Sequence, residues 1–109
     1  MTQNPLFNEI IDIIKSEMAK SGGQELILFG SRATDSARTD SDYDLMILVD
    51  DEVDKLGRLK IYKNIYRRLR EENKTIAMDL VIKRQTDFLR QSDDIAMLSY
   101  YVKREGLRL

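Results

Sequence analysis

Two short apolar runs joined by a polar loop constrain this chain more than any other feature. Leu26-Ile27-Leu28-Phe29 delivers Gly30 and Ser31 at its end, and Leu45-Met46-Ile47-Leu48-Val49 begins directly after Asp42-Tyr43-Asp44. Apolar runs of this length read as buried strands, so the order is strand, turn, loop, strand. Alternate residues of a strand point to the same side, about 7 Å apart at the Cα. Asp42 and Asp44 therefore present two carboxylates to one face. Gly30 lets the backbone come close to a ligand, and a short helix opening at Ser31 would turn free N–H groups toward an anion. Paired carboxylates invite a divalent cation. A phosphate site beside a cation site points to nucleotide chemistry.

Composition narrows the chemistry further. The 109 residues contain neither cysteine nor histidine, which removes disulfides, thiolate nucleophiles, His-based triads and His-ligated zinc. Carboxylates, Lys, Tyr and Ser/Thr remain, and oxygen ligands suit Mg²⁺, Mn²⁺ or Ca²⁺. The 18 Lys and Arg balance 19 Asp and Glu, so bulk charge gives no reason to expect direct nucleic-acid binding. No apolar run approaches the roughly 18 residues of a membrane span, and the N-terminus lacks the pattern of a signal peptide. The expectation is a cytoplasmic protein forming one domain over residues 1–109.

The flanking segments fit a single α/β (α+β) unit, a mixed sheet of three to four strands packed with helices. Asn4-Pro5 opens a helix as N-cap and first residue, and Leu6, Phe7, Ile10, Ile11, Ile13, Ile14 and Met18 form its apolar stripe. Ser21-Gly22-Gly23 ends it. The loop from Arg32 to Ser41 is polar, and its first half, Ser31 to Ala37, has room for two helical turns. The acidic cluster Asp50-Asp51-Glu52-Val53-Asp54 is expected to start a long helix. That helix is expected to bury Leu56, Leu59, Ile61, Tyr62, Ile65, Tyr66 and Leu69, with Arg58, Lys60, Lys63, Arg67, Arg68 and Arg70 on a basic side that is expected to be solvated, contact with RNA or an acidic partner being the alternative. Asn73 is a left-handed stop.

Thr75 to Lys83 alternates as a third strand, and Asp79 interrupts it. A carboxylate there needs an open face, a bound cation or a structural Lys or Arg. Thr86 is expected to cap a short helical piece and Ser92 a second one ending at Gly106, with Leu107 to Leu109 as an edge strand.

Three phosphate or metal motifs compete for the central stretch. Asp40, Asp42 and Asp44 match the start of a helix-loop-helix calcium loop, but Leu45 stands where Gly is needed and Asp51 where Glu is. Neither a P-loop nor a Rossmann glycine pattern occurs. What remains is Gly30-Ser31, a spacer, Asp42-Tyr43-Asp44, and Asp79 on a later strand.

In that pattern the chain resembles the polymerase-β-type nucleotidyltransferase superfamily, and within it the minimal nucleotidyltransferases (MNT) that act as antitoxins to HEPN-domain toxins. The resemblance implies two Mg²⁺ ions, with Mn²⁺ as a substitute, held by Asp42, Asp44 and Asp79. Asp79 would also take the proton of the attacking hydroxyl. Gly30 and Ser31 would hold the β- and γ-phosphates of ATP or another NTP, and Arg32 could reach a phosphate. The reaction implied is transfer of AMP to a tyrosine of a helical HEPN RNase toxin.

Neutralisation by binding alone, or transfer to a metabolite or an RNA end, remain alternatives. Larger superfamily members carry an extra helical domain, and a partner protein is expected to supply that wall here. Thr34-Asp35 occupies a loop position where a basic residue and Gly are common in the family. Without cations the three carboxylates should repel, raising the apparent pKa of the cluster.

Overall fold

The structure, a computed structural model, describes residues 4–34, 36–38 and 41–109. Asp35 and Asp40, which enter the loop and calcium-motif readings, lie outside the described residues. Asn4 opens α1 (Pro5–Ser21) by accepting hydrogen bonds on its side chain from the backbone N–H groups of Leu6 (3.0 Å) and Phe7 (3.3 Å). Gly22, in a left-handed conformation at φ 82, ends it.

β1 (Gly23–Phe29) follows at once, then a single 3₁₀ turn, Gly30–Arg32, and after the loop β2 (Tyr43–Val49). Of the room for two helical turns between Ser31 and Ala37, the described residues use only the 3₁₀ turn that begins at Gly30. The backbone closes instead through the Gly30 carbonyl, which accepts from Ala33 N, and the Ser31 carbonyl, which accepts from Thr34 N and Ser36 N.

α2 (Lys55–Glu71) crosses over and β3 (Met78–Arg84) returns parallel to β2. Asn73 takes the left-handed conformation at φ 55 beyond the end of α2. Two short helices, α3 (Gln85–Gln91) and α4 (Leu98–Glu105), lead to the edge strand β4 (Leu107–Arg108). The sheet order is β3-β2-β1-β4, with β1 antiparallel to both of its neighbours. The fold is a small α+β domain with a four-stranded mixed sheet.

Each face of the sheet has its own core. Leu26, Leu28, Leu45, Ile47, Val49 and Leu80 pack against Phe7, Ile10 and Ile14 of α1 and Ile61, Ile65 and Leu69 of α2. On the opposite face Ile27, Met46 and Leu48 pack with Phe88 of α3 and Val102 of α4. β2 is thus covered on both sides, which is why its sequence is a continuous apolar run rather than an alternation. Among the described residues no helix is long and apolar enough to cross a membrane.

Local expectations are corrected in three places. In α2 only Ile61, Ile65 and Leu69 are buried; Leu56, Leu59 and Tyr62 are exposed. Those three lie on an i, i+3 row turned away from the i, i+4 row that meets the sheet, and β3 is the last strand on that side. The acidic cluster divides its work: Asp54 caps α2 by accepting from Gly57 N (2.8 Å), whereas Asp51 reaches α3, accepting from the backbone N–H (3.0 Å) and hydroxyl of Thr86. Thr86 and Ser92 are therefore not N-caps. Arg84 and Met97 occupy those positions, and Ser92 closes α3 at its C-terminus.

Candidate active site

β1 carries its last residue, Phe29, opposite Asp44 of β2, and Asp44 lies opposite Asp79 of β3. Gly30, Asp44 and Asp79 are thereby lined up across three neighbouring strands at one end of the sheet. Asp42 lies two residues before Asp44 and completes the group. Strand alternation puts Asp44 on the same face as Met46 and Leu48, the face that α3 and α4 cover farther along. Asp42 and Asp79 are exposed and Asp44 is half-buried.

Gly30 adopts φ 71, and a Cβ built there would lie 2.3 Å from Asp44 Oδ2. No side chain fits between this turn and the carboxylate. Burial, then the charges of Asp79 and Asp42, push the Asp44 carboxyl above the ordinary Asp value. Among the described residues no Lys or Arg forms an ion pair with Asp42, Asp44 or Asp79. Lys83 shares Asp79's side of β3 but donates to Gln91 of α3. A structural cation as the reason for Asp79 is thus ruled out among the described residues.

These are oxygen donors only, the set a hard divalent cation takes. Among the described residues no group of three carboxylates is assembled into a metal-holding cluster. Uncompensated like charges have no reason to converge unaided. Asp42, Asp44 and Asp79 therefore fit Mg²⁺ in donor chemistry and as a neighbourhood, not as a preformed cage.

Ser31 follows Gly30 on the same 3₁₀ turn. Its carbonyl is occupied, while its hydroxyl makes no hydrogen bond among the described residues. Arg32 is engaged by the protein itself. Its Nη2 and Nε donate to the Ser41 carbonyl at 2.7 and 3.2 Å, and its guanidinium lies 4.3 Å from the centre of the Tyr43 ring. Tyr43 in turn stacks on Phe7 at 4.2 Å. Arg32 thus clasps the far end of the loop, one residue from Asp42.

Two neighbours carry no sequence signal of their own. Phe29 is half-buried beside Asp44 and packs on the Ile27 and Met46 cluster; only its place immediately before Gly30 marks it. Tyr66 of α2 donates to the Met78 carbonyl (3.4 Å), next to Asp79. Burial, then Tyr62, then the Asp79 charge push its phenol up to about 12.

Residues 8–95 match the family model described as Polymerase beta, Nucleotidyltransferase. The chain belongs to the polymerase-β nucleotidyltransferase family. The match spans Gly30, Ser31, Asp42, Asp44 and Asp79, so the strand-end group lies within the part of this nucleotidyltransferase domain that defines the family.

Solved structures share its fold. A Sulfolobus solfataricus protein described as a candidate nucleotidyltransferase aligns over 94% of this chain and 75% of its own at 16% identity, TM-score 0.59. A toxin-antitoxin structure with AMP-PNP aligns over 89% of this chain and 69% of its own at 22% identity, TM-score 0.54. A third, a tri-AMPylated Shewanella oneidensis HEPN toxin in complex with its MNT antitoxin, aligns over 98% of this chain and 71% of its own at 19% identity, TM-score 0.51. No curated protein is detectably similar in sequence.

Proposed function

We propose that this nucleotidyltransferase domain is an Mg²⁺-dependent, MNT-type antitoxin that transfers AMP from ATP to a tyrosine hydroxyl of a HEPN toxin. The observation that carries this reading is that Asp42, Asp44 and Asp79 share one end of the sheet with no basic partner among the described residues, set against a turn that only glycine fits. Carboxylates that share a neighbourhood without compensation repel one another, and a cation-dependent reaction is the reason to keep them.

In this reading Asp42, Asp44 and Asp79 hold two Mg²⁺ ions, which when bound supply charge stabilisation to the attacking and departing oxygens. The Gly30 turn lies directly against Asp44 Oδ2, which brings the turn's backbone beside the carboxylate where the nucleotide's phosphates would sit. The Ser31 hydroxyl, uncommitted among the described residues, donates to a β- or γ-phosphate oxygen together with the backbone N–H groups of the turn. Asp79, at the exposed edge strand, accepts the proton of the incoming hydroxyl. Arg32 fixes the loop and with it the approach of Asp42. AMP joins the acceptor oxygen and pyrophosphate leaves. The cytoplasm, with its ATP and an RNase toxin to silence, is the compartment that suits this chemistry.

The test is transfer of α-phosphate label from ATP in Mg²⁺ to a HEPN protein co-expressed from the adjacent gene, with Asp42→Asn as control. Label on the partner that disappears in the variant supports catalysis. An intact, inhibited and unlabelled complex would replace it with neutralisation by binding alone. Label acquired by RNA or a small molecule without a protein partner would replace the acceptor.

A further inference from the structure

The exposed row of α2 forms one wall of a surface trough of about 480 Å³, lined by Lys55, Leu56, Arg58, Leu59, Tyr62 and, from β3, Ile82. Leu56 is 74% exposed and Leu59 46%, which is unusual for large aliphatic side chains on adjoining turns of one helix. The trough lies beyond the last strand of the sheet, so no further layer of the described fold covers it.

Its charge is as distinctive as its apolarity. α2 carries Lys55, Arg58, Lys60, Lys63, Arg67, Arg68 and Arg70 against a single acidic residue, Glu71, in a chain of formal net charge −1. Among the described residues Lys55, Lys60, Lys63 and Arg70 have no carboxylate partner. The surface is an apolar floor with a basic rim.

We infer that this trough is the docking site for an amphipathic helix with acidic flanks, supplied by a protein partner. Apolar side chains at i, i+3, i+4 and i+7 of such a helix fill a trough of this kind, while its flanking carboxylates meet Lys55, Arg58 and Lys60. A nucleic-acid backbone would satisfy the cations and leave Leu56 and Leu59 without an apolar partner. A second copy seated face to face would set two basic helices against each other, a like-charge arrangement that disfavours pairing.

The trough lies on the α2 face of the sheet, whereas Asp44 and Asp79 face the α3 and α4 side. Tyr62, in its wall, lies 4.6 Å from the Tyr66 ring, and Tyr66 bonds Met78 beside Asp79. Ile82 is three residues along β3 from Asp79, about 10 Å at strand spacing. A protein anchored here is held at the β3 edge of the domain, the edge strand that also carries Asp79. The identity of that protein as the AMP acceptor rests on the function proposed above; the docking chemistry does not.

The experiment is an NMR titration of the whole chain with a synthetic helical peptide carrying leucines at i, i+3, i+4 and i+7 and glutamates on both flanks. Saturable shifts confined to α2 and Ile82 are expected, with affinity reduced roughly tenfold or more by Leu56→Glu and by Arg58→Glu. Leu56 is exposed, whereas Arg58 is half-buried and donates to the Val53 carbonyl (2.8 Å); an unchanged spectrum of β2 checks that the fold is retained in both variants. Asp44→Asn is expected to bind the peptide as the parent does, which separates failure of docking from failure of catalysis.

Several results would overturn the inference: no saturable binding, shifts away from α2, or equal binding of a lysine-flanked peptide. So would stronger binding of single-stranded RNA to the same helix, or a concentration-dependent dimer that Leu56→Glu abolishes.

Discussion

Gly30 and Asp44 are in direct apposition: the turn after β1 presses so closely on the β2 carboxylate that a single methyl group at position 30 would fall 2.3 Å from Oδ2. Gly30→Ala meets two obstacles at once, the positive φ of 71 and this collision. A loss on the order of 2 kcal/mol in urea unfolding is expected. Label transfer should fall by more than the unfolded fraction explains, because relief of the clash displaces Asp44. Unaltered transfer by a folded Gly30→Ala protein would mean that the apposition is packing only.

Asp44→Asn should separate stability from function. Burial and the charges of Asp79 and Asp42 disfavour the ionised Asp44 side chain in the metal-free fold, and the amide removes that repulsion. The variant is expected to melt at a higher temperature than the parent in EDTA, yet to lose transfer and the stabilisation that Mg²⁺ with ATP confers on the parent. Thermal scans with and without Mg²⁺-ATP measure both effects. A lower melting temperature in EDTA would show that Asp44 has a favourable partner in the free protein.

Arg32→Lys tests the loop clasp. Lysine keeps the charge but loses the planar contact with Tyr43 and the paired donation to the Ser41 carbonyl. A clasp acting through Asp42 predicts a kcat fall of roughly tenfold with little change in the KM for ATP. A direct phosphate contact predicts the reverse, a raised KM with lysine partly substituting for arginine.

Acid sensitivity should centre on Glu17, a residue whose burial the apolar stripe of α1 did not announce. Burial raises its pKa, but hydrogen bonds and charge from Lys20 and Arg68 outweigh this and leave it below 4.5. Since the folded value is depressed, its contribution is present above the unfolded value of about 4.5 and is lost as pH falls through the lower folded value. Glu17→Gln is expected to cost on the order of 1 kcal/mol at pH 7 and to flatten the stability profile below about pH 4.5. Parallel profiles for parent and variant would remove Glu17 from the acid transition.

Much of this was legible from local pattern. The Asn4-Pro5 cap, the core stripe of α1, the left-handed Asn73 and the stop at Gly106 each depend on a residue and its immediate neighbours. The pairing of Gly-Ser with Asp-x-Asp and a later Asp was legible for a related reason: strand alternation fixes which side Asp42, Asp44 and Asp79 face.

Less legible was anything set by what lies across a gap in sequence. Asp51 reads as a helix-start charge for α2, and it serves α3 because the chain returns beside it. Arg32 reads as able to reach a phosphate, and nothing near it in sequence shows that its guanidinium also meets the carbonyl of Ser41, nine residues on.

The sequence by itself determined which segments are strands and helices, that two carboxylates share a face behind a glycine turn, and that any metal chemistry is oxygen-ligated. Periodicity, backbone permissiveness and donor type are properties of short stretches. Only the tertiary structure decided that β3 lies beside β2 as an edge strand. That placement puts Asp79 level with Asp44 and leaves Leu56, Leu59 and Tyr62 of α2 uncovered. A helix sequence records which side chains are apolar, but the width of the sheet beneath it decides how many of them find a partner.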